Sequence, residues 1–150
     1  MKLTSTAFEA GTSIPKKYTC QGEDISPPLE ISQVPTQAKS LALIMDDPDV
    51  PQQVRMDRMW IHWVLFNLDP HIKQLPEDIS GVGVLGQNTS GHHAYMGPCP
   101  PDREHRYFFK LYALDTLLKL SPGATKQELE KAMEGHVLAQ ATLMGRYEQH

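Results

Sequence analysis

Apolar residues fall into short runs separated by stretches rich in proline and glycine, and each run predicts an element. Ser40-Leu41-Ala42-Leu43-Ile44-Met45 is continuously apolar after its first residue, the pattern of a strand buried on both faces. It stops at Asp46-Asp47-Pro48-Asp49-Val50-Pro51. Trp60–Leu68 is a second strand, whose even positions Trp60, His62, Val64, Phe66 and Leu68 form one apolar stripe that includes a histidine. His105–Leu114 is a third, rich in aromatics, with His105, Tyr107, Phe109, Leu111 and Ala113 on one face. A shorter strand begins at Leu29-Glu30-Ile31 and stops by Val34-Pro35. Beyond Ser121-Pro122-Gly123 the period changes. Leu129, Ala132, Met133, His136, Val137, Gln140, Leu143, Met144 and Tyr147 recur at spacings of three and four. Thr125 followed by Glu128 fits a capping box, and the pattern predicts one helix of about six turns over Thr125–Tyr147. Gly135 should weaken it by about 1 kcal/mol relative to alanine.

The remaining stretches read as fixed loops. Phe8 to Pro28 is punctuated by Gly11, Pro15, Gly22 and Pro27-Pro28, with at most short strands around Lys17–Cys20. Gln52 to Arg58 is polar, a loop or a single helical turn, and Leu75 to Gly91 is irregular. In Gly97-Pro98-Cys99-Pro100-Pro101 three prolines fix φ and remove three backbone donors, so this loop is stiff.

Composition narrows the class. One hundred and fifty residues suit a single domain over 1–150, able to bury roughly 70% of its unfolded surface. Twelve prolines favour short elements over long helices. A net charge of −4 gives no electrostatic footprint for nucleic acid. The start, Met1-Lys2-Leu3-Thr4-Ser5-Thr6, has no apolar run that could serve as a signal peptide. No segment approaches the length of a membrane span. With no secretory context, Cys20 and Cys99 are expected as free thiols and the protein as cytoplasmic.

Three strand ends carry polar chemistry: Asp47 with Asp49, His62, and His105 with Tyr107. Each follows or interrupts an apolar run, so each is expected to be partly withdrawn from water. A carboxylate bonded to an imidazole fixes its tautomer and favours imidazolium. Two such histidines and a tyrosine hydroxyl would make a donor cluster for a small anion, binding best at mildly acidic pH. Spacing alone does not bring the three ends together.

In order along the chain, Asp47-Pro48-Asp49-Val50-Pro51, Trp60-Ile61-His62-Trp63, Tyr95-Met96-Gly97-Pro98-Cys99-Pro100-Pro101 and His105-Arg106-Tyr107 resemble the phosphatidylethanolamine-binding protein family, in particular its bacterial, Raf kinase inhibitor-like branch. Ile14-Pro15, Tyr18 to Leu29, Asn88 with Gly91, and Glu134 to Ala141 are similar as well, so the resemblance spans about Phe8 to Tyr147. It implies a mainly β fold with a large central antiparallel sheet, a smaller sheet and a C-terminal helix packed on one face. It also implies a small anion-accepting cavity at the sheet edge. Asp47, Asp49, His62, His105 and Tyr107 match the family's pocket positions, Met96 and Gly97 its backbone rim, and Pro51 and Trp60 its residues following cis peptide bonds. Two departures stand out. Asp102-Arg103-Glu104 stands where the resemblance implies a glycine-containing turn, and the further C-terminal helix of eukaryotic relatives is expected to be absent.

The expected role is therefore a binding module for a phosphate-like or carboxylate-like group, without a cofactor, that could regulate a protein partner such as a kinase. No membrane insertion is expected, and a homodimer stays open. The alternative class is an enzyme: a hydrolase with Cys99 as nucleophile, His105 as base and an aspartate as orienter, or a metal enzyme using His62, His105 and Asp47. A proline-flanked cysteine without a helix N-terminus argues against the first. The lack of short-range ligand spacing argues against the second. His92-His93 is most simply a loop pair.

Overall fold

In the computed structural model, which describes residues 1–150, eight strands and one short helix follow in chain order. They are β1 (Lys2–Thr4), β2 (Leu29–Ser32), β3 (Ser40–Asp47), β4 (Trp60–Leu68), β5 (Gln74–Leu75), β6 (Val84–Leu85), β7 (His105–Leu114), α1 (Lys126–Met133) and β8 (Val137–Tyr147). The main sheet has the order β6-β4-β3-β7-β8 and a small one the order β1-β2-β5, with every pairing antiparallel. β3 lies at the centre, and every one of its residues is buried, as a continuous apolar run requires.

The two faces of the main sheet carry separate cores. On one face Leu41, Leu43 and Met45 of β3, Trp63 and Leu65 of β4, and Tyr107, Phe109 and Leu111 of β7 pack against the small sheet and the N-terminal segment through Leu3, Ile14, Tyr18 and Leu29. On the other, Ala42, Ile44, Val64 and Phe66 lie under Leu129 and Met133 of α1.

The chain after Thr125 departs from the expected long helix. The capping box forms, with the Glu128 backbone N–H donating to Thr125 Oγ1 and the Thr125 N–H donating to the Glu128 carboxylate. The helix nevertheless ends at Met133 after eight residues. Gly135 takes φ +78°, a left-handed conformation that terminates a helix cheaply only in glycine. Val137–Tyr147 then pairs with β7 along its whole length, from Leu114↔Val137 to His105↔Tyr147. Leu143, Gly145 and Tyr147 turn inward at a period of two. Leu143 and Tyr147 satisfy both the helical and the strand period, which is why the sequence reads as helix.

β4 departs from strict alternation at two places. Leu41 pairs with Leu68 but Leu43 with Leu65, and Met45 pairs with Trp63 but Asp46 with Ile61, so β4 carries an extra residue at each step. Asn67 takes φ +53° in the first bulge, and His62 is the additional residue of the second. Leu68 thereby joins Trp63 and Leu65 on the face opposite Val64 and Phe66. A bulge of this kind re-aims a side chain beside a strand end.

Cys20 and Cys99 form a disulfide with Cα atoms 5.5 Å apart, not the pair of free thiols expected. The segment Tyr18–Asp24 lies over the proline loop. Cys20 N–H donates to Pro98 O at 3.1 Å, Gly97 N–H to Asp24 Oδ1 at 2.8 Å, and the Tyr95 hydroxyl to Tyr18 O at 2.7 Å. A Cβ on Gly97 would collide with Tyr18 O and Asp24 Oδ1, so only glycine permits this approach. All peptide bonds are trans, including those preceding Pro51 and Trp60, which corrects the expected cis bonds. The trans form of the second avoids roughly 3 kcal/mol.

The bridge closes a loop of 79 residues. Its loss should cost roughly 4 kcal/mol of stability through denatured-state entropy. Urea unfolding with and without a reductant, and of the double variant Cys20→Ser/Cys99→Ser, checks this. Identical midpoints would mean that the loop's own hydrogen bonds suffice.

Candidate functional site

The C-terminal end of β3, the bulged start of β4 and the N-terminal end of β7 meet under the proline loop. They enclose a cavity of about 240 Å³. Asp47, Trp60, His62, Met96, Gly97, His105 and Tyr107 line it, together with Val50, Val54, Cys99, Pro100 and Pro101. Three strand ends that spacing could not connect are thus joined, because β3 pairs with β4 on one side and β7 on the other.

Two of the candidate residues lie outside this lining. The Asp49 carboxylate grips Arg106, receiving Nε at 2.9 Å, Nη2 at 2.8 Å and the backbone N–H at 2.9 Å. These bonds from Arg106 hold the Asp49 carboxyl below the usual carboxylate range. Pro51 faces an adjoining open depression with Arg58, Asp102 and Arg103. Asp49 therefore holds the loop to β7, and Pro51 belongs to the approach.

His105 is fully buried between two carboxylates. Nδ1 lies 2.7 Å from Asp47 Oδ2, and Nε2 lies 2.6 Å from Asp102 Oδ1. Asp47 also accepts the Asp49 N–H on Oδ1 at 2.7 Å, an Asx turn within the site. Burial raises the pKa of Asp47, opposed by its bonds to His105 and to the Asp49 N–H. At Asp102 burial also pushes upward, but the His105 bond and charge outweigh it and the carboxyl falls below its usual value. Asp102 is a site residue that sequence reasoning missed. Its signal was the i, i+3 spacing to His105 in the Asp102-Arg103-Glu104 segment.

His62 is held differently. Its Nδ1 lies 2.6 Å from Met96 O, while the Met96 N–H donates to His62 O at 3.0 Å. A carbonyl only accepts, so Nδ1 carries the hydrogen and Nε2 is left with its lone pair. Burial lowers the His62 pKa to about 4, against the pull of Met96 O. No carboxylate bonds this ring, so burial prevails and the ring is neutral near pH 7, outside the donor cluster. The bulge explains why the stripe misled: it turns His62 toward Tyr107, ring centroids 5.3 Å apart and edge-on.

Tyr107 is completely buried and its hydroxyl has no hydrogen-bond partner. Burial raises its pKa well above that of free tyrosine, and the negative charge of nearby Asp47 adds to this. The hydroxyl makes no full hydrogen bond of its own, with the Asp47 carboxylate and the Cys99 N–H as close polar neighbours at the edge of an apolar cavity.

The Cys99 sulfur is bonded to Cys20, so a hydrolase built on the Cys99 thiol lacks its nucleophile. No group of three or more His, Cys, Asp or Glu is placed to share a metal ion. A wider groove of about 360 Å³ lies beside the start of α1. Its cations are already paired, Arg55 with Asp57 at 3.3 Å and Lys126 with Asp46 at 3.1 Å, so the unsatisfied chemistry belongs to the smaller cavity. No helix is long and apolar enough to cross a membrane.

The sequence profile described as Phosphatidylethanolamine-binding protein matches residues 4–148. A UPF0098 protein of Chlamydia muridarum is 56% identical over 149 residues, covering 99% of each chain. A UPF0098 protein of Methanothermobacter thermautotrophicus is 52% identical over 98% of each. The crystal structure of CT736 from Chlamydia trachomatis, described as a putative phosphatidylethanolamine-binding protein homolog, superposes with a TM-score of 0.97 at 54% identity, covering 99% of this chain and 97% of that one. Escherichia coli YbcL superposes with 0.88 at 27% identity, covering 99% and 98%.

A histidine whose folded pKa of about 4 lies below its ordinary 6.5 binds fewer protons in the folded state than in the unfolded one. Its stabilising share is complete above pH 6.5 and is lost as pH falls toward 4. The loss is on the order of 3 kcal/mol. Urea midpoints measured across that interval should fall more steeply for the parent chain than for His62→Gln, and parallel curves would show that His62 does not titrate as described.

Proposed function

Because the chain belongs to the phosphatidylethanolamine-binding protein family, we propose that it is a binding module whose cavity holds a small phosphoryl-type oxyacid, free or as the head of a larger ligand. The observation that carries this reading is the buried, unpartnered Tyr107 hydroxyl at the wall of a cavity otherwise lined largely by apolar atoms. Burying a hydroxyl without a partner costs about 1–3 kcal/mol, and a ligand oxygen placed there recovers it. Arg58 and Arg103 at the adjoining depression favour an anionic ligand on approach. The volume admits a headgroup but not acyl chains, so the ligand's remainder would lie outside. Regulation of a protein partner is a secondary role, for which the ligand-filled mouth would be the contact. The Cys20–Cys99 bond, exposed at both residues, fits an oxidising compartment better than the expected cytoplasm.

Calorimetric titration with inorganic phosphate and phosphoethanolamine tests the reading. Tyr107→Phe should weaken either ligand by about tenfold, the worth of one hydrogen bond recovered on binding. Asp102→Ala should strengthen both, because it removes a negative charge beside the site. Absence of binding, or affinity indifferent to Tyr107→Phe, would place the function elsewhere.

A further inference from the structure

The polar groups facing the cavity can be accounted for one by one. On β3, Asp47 uses Oδ1 for the Asp49 N–H and Oδ2 for His105. On β7, His105 has a carboxylate at each ring nitrogen. In the proline loop the Met96 N–H is given to His62 O and the Gly97 N–H to Asp24. The backbone rim therefore has no free N–H at these two residues.

What is left is a short set, to which the Cys99 N–H belongs as a donor, given to no acceptor and lying toward Tyr107. Tyr107 offers a hydroxyl. Trp60, also in the lining, has an indole that can only donate. His62 Nε2, on β4, offers a lone pair and no hydrogen, because the reciprocal contact with Met96 fixes the tautomer. The opposite tautomer would set two lone pairs against each other at 2.6 Å. Among its side chains the cavity thus offers the Tyr107 and Trp60 donors and one bare acceptor, His62 Nε2. A fully ionised oxyanion has only acceptor oxygens, and one of them would face that lone pair. Its second charge would also face the carboxylates of Asp47 and Asp102 through His105.

Resting on the oxyacid reading above, we infer that the site selects the singly protonated form of a phosphate monoester or phosphonate. The ligand's P–OH donates to His62 Nε2, and its ionised oxygens accept from the Tyr107 hydroxyl. This excludes phosphodiesters, including intact phospholipid headgroups, which carry one charge but no P–OH. It also excludes sulfate esters for the same reason. The natural ligand is then a free phosphomonoester or phosphonate and not a lipid in a membrane.

The test is calorimetry on the disulfide-bonded chain with four small probes: methyl phosphate, methylphosphonate, methyl sulfate and dimethyl phosphate. The range from about pH 5 to about pH 8 spans the second ionisation, near 6, of a phosphate monoester. Groups of the protein that face the site and titrate or carry charge are His62 on β4, Asp47 on β3, His105, Tyr107 and Arg106 on β7, Asp49 in the β3–β4 loop, and Asp102 and Arg103 before β7. Their titration is common to all four probes, so differences between probes belong to the ligand.

Methyl phosphate affinity should fall about tenfold for each pH unit above its second ionisation, with the midpoint displaced upward for the more basic methylphosphonate. Below that ionisation methyl sulfate and dimethyl phosphate should bind at least about tenfold more weakly, for want of the donated hydrogen bond, and neither should share the methyl phosphate decline above it. Equal binding of methyl sulfate, or one midpoint shared by both phosphorus ligands, overturns the proton requirement while leaving the oxyacid site standing. No binding of any probe at any pH overturns both.

Discussion

The buried contact between Asp47 Oδ2 and His105 Nδ1, 2.7 Å long, is the constraint on which the site depends. It ties the last residue of β3 to the first residue of β7, at the point where the sheet gives way to loops. A carboxylate there is tolerable only while paired, since stranding a charge in a protein interior costs several kcal/mol. The pairing in turn places Asp49 where Arg106 can grip it, and Asp102 against the remaining ring nitrogen. The Val50–Pro51 and Pro101–Asp102 segments are held on either side of the cavity by these contacts.

A second set of contacts holds the roof. The Met96–His62 exchange joins the proline loop to β4, and the Gly97–Asp24 and Cys20–Cys99 contacts join it to the N-terminal segment. The prolines stiffen this loop but leave it few donors, so its position depends on glycine, the histidine and the disulfide together. The resulting cavity is built from β3, β4, β7 and two loops. No single element contains it, which suits a fold whose contacts are mostly distant in sequence.

The sequence was legible wherever one periodicity acted alone. Ser40–Met45, Trp60–Leu68 and His105–Leu114 form the strands that their apolar runs require, and His105 and Tyr107 share the face that alternation assigns to them. It misled where two patterns coexisted: Leu143 and Tyr147 suit a helix as well as a strand, and the distant partner β7 decided between them. Cys20 and Cys99 gave no signal because 79 residues separate them and only the folded loop brings them together. Family resemblance pointed to Asp47, His62, His105 and Tyr107, but not to Asp102, which lies between the matched proline loop and His105. Asp49 and Pro51 lie outside the lining for another reason. Both flank the cavity in sequence, and only the coordinates separate a residue that lines a wall from one that braces it.

The additional residue at His62 carries information that residue identity does not. Deleting a neighbour on either side of the bulge would restore plain alternation and return the imidazole to the stripe with Val64 and Phe66. The chain would keep the same histidine, nearly the same composition and much the same core. It would nevertheless have moved its one bare acceptor from the cavity to the underside of the sheet. In this fold the chemistry at position 62 is encoded as a count of residues along β4, so a relative could retain every side chain named here and still lack the site through one shift in length.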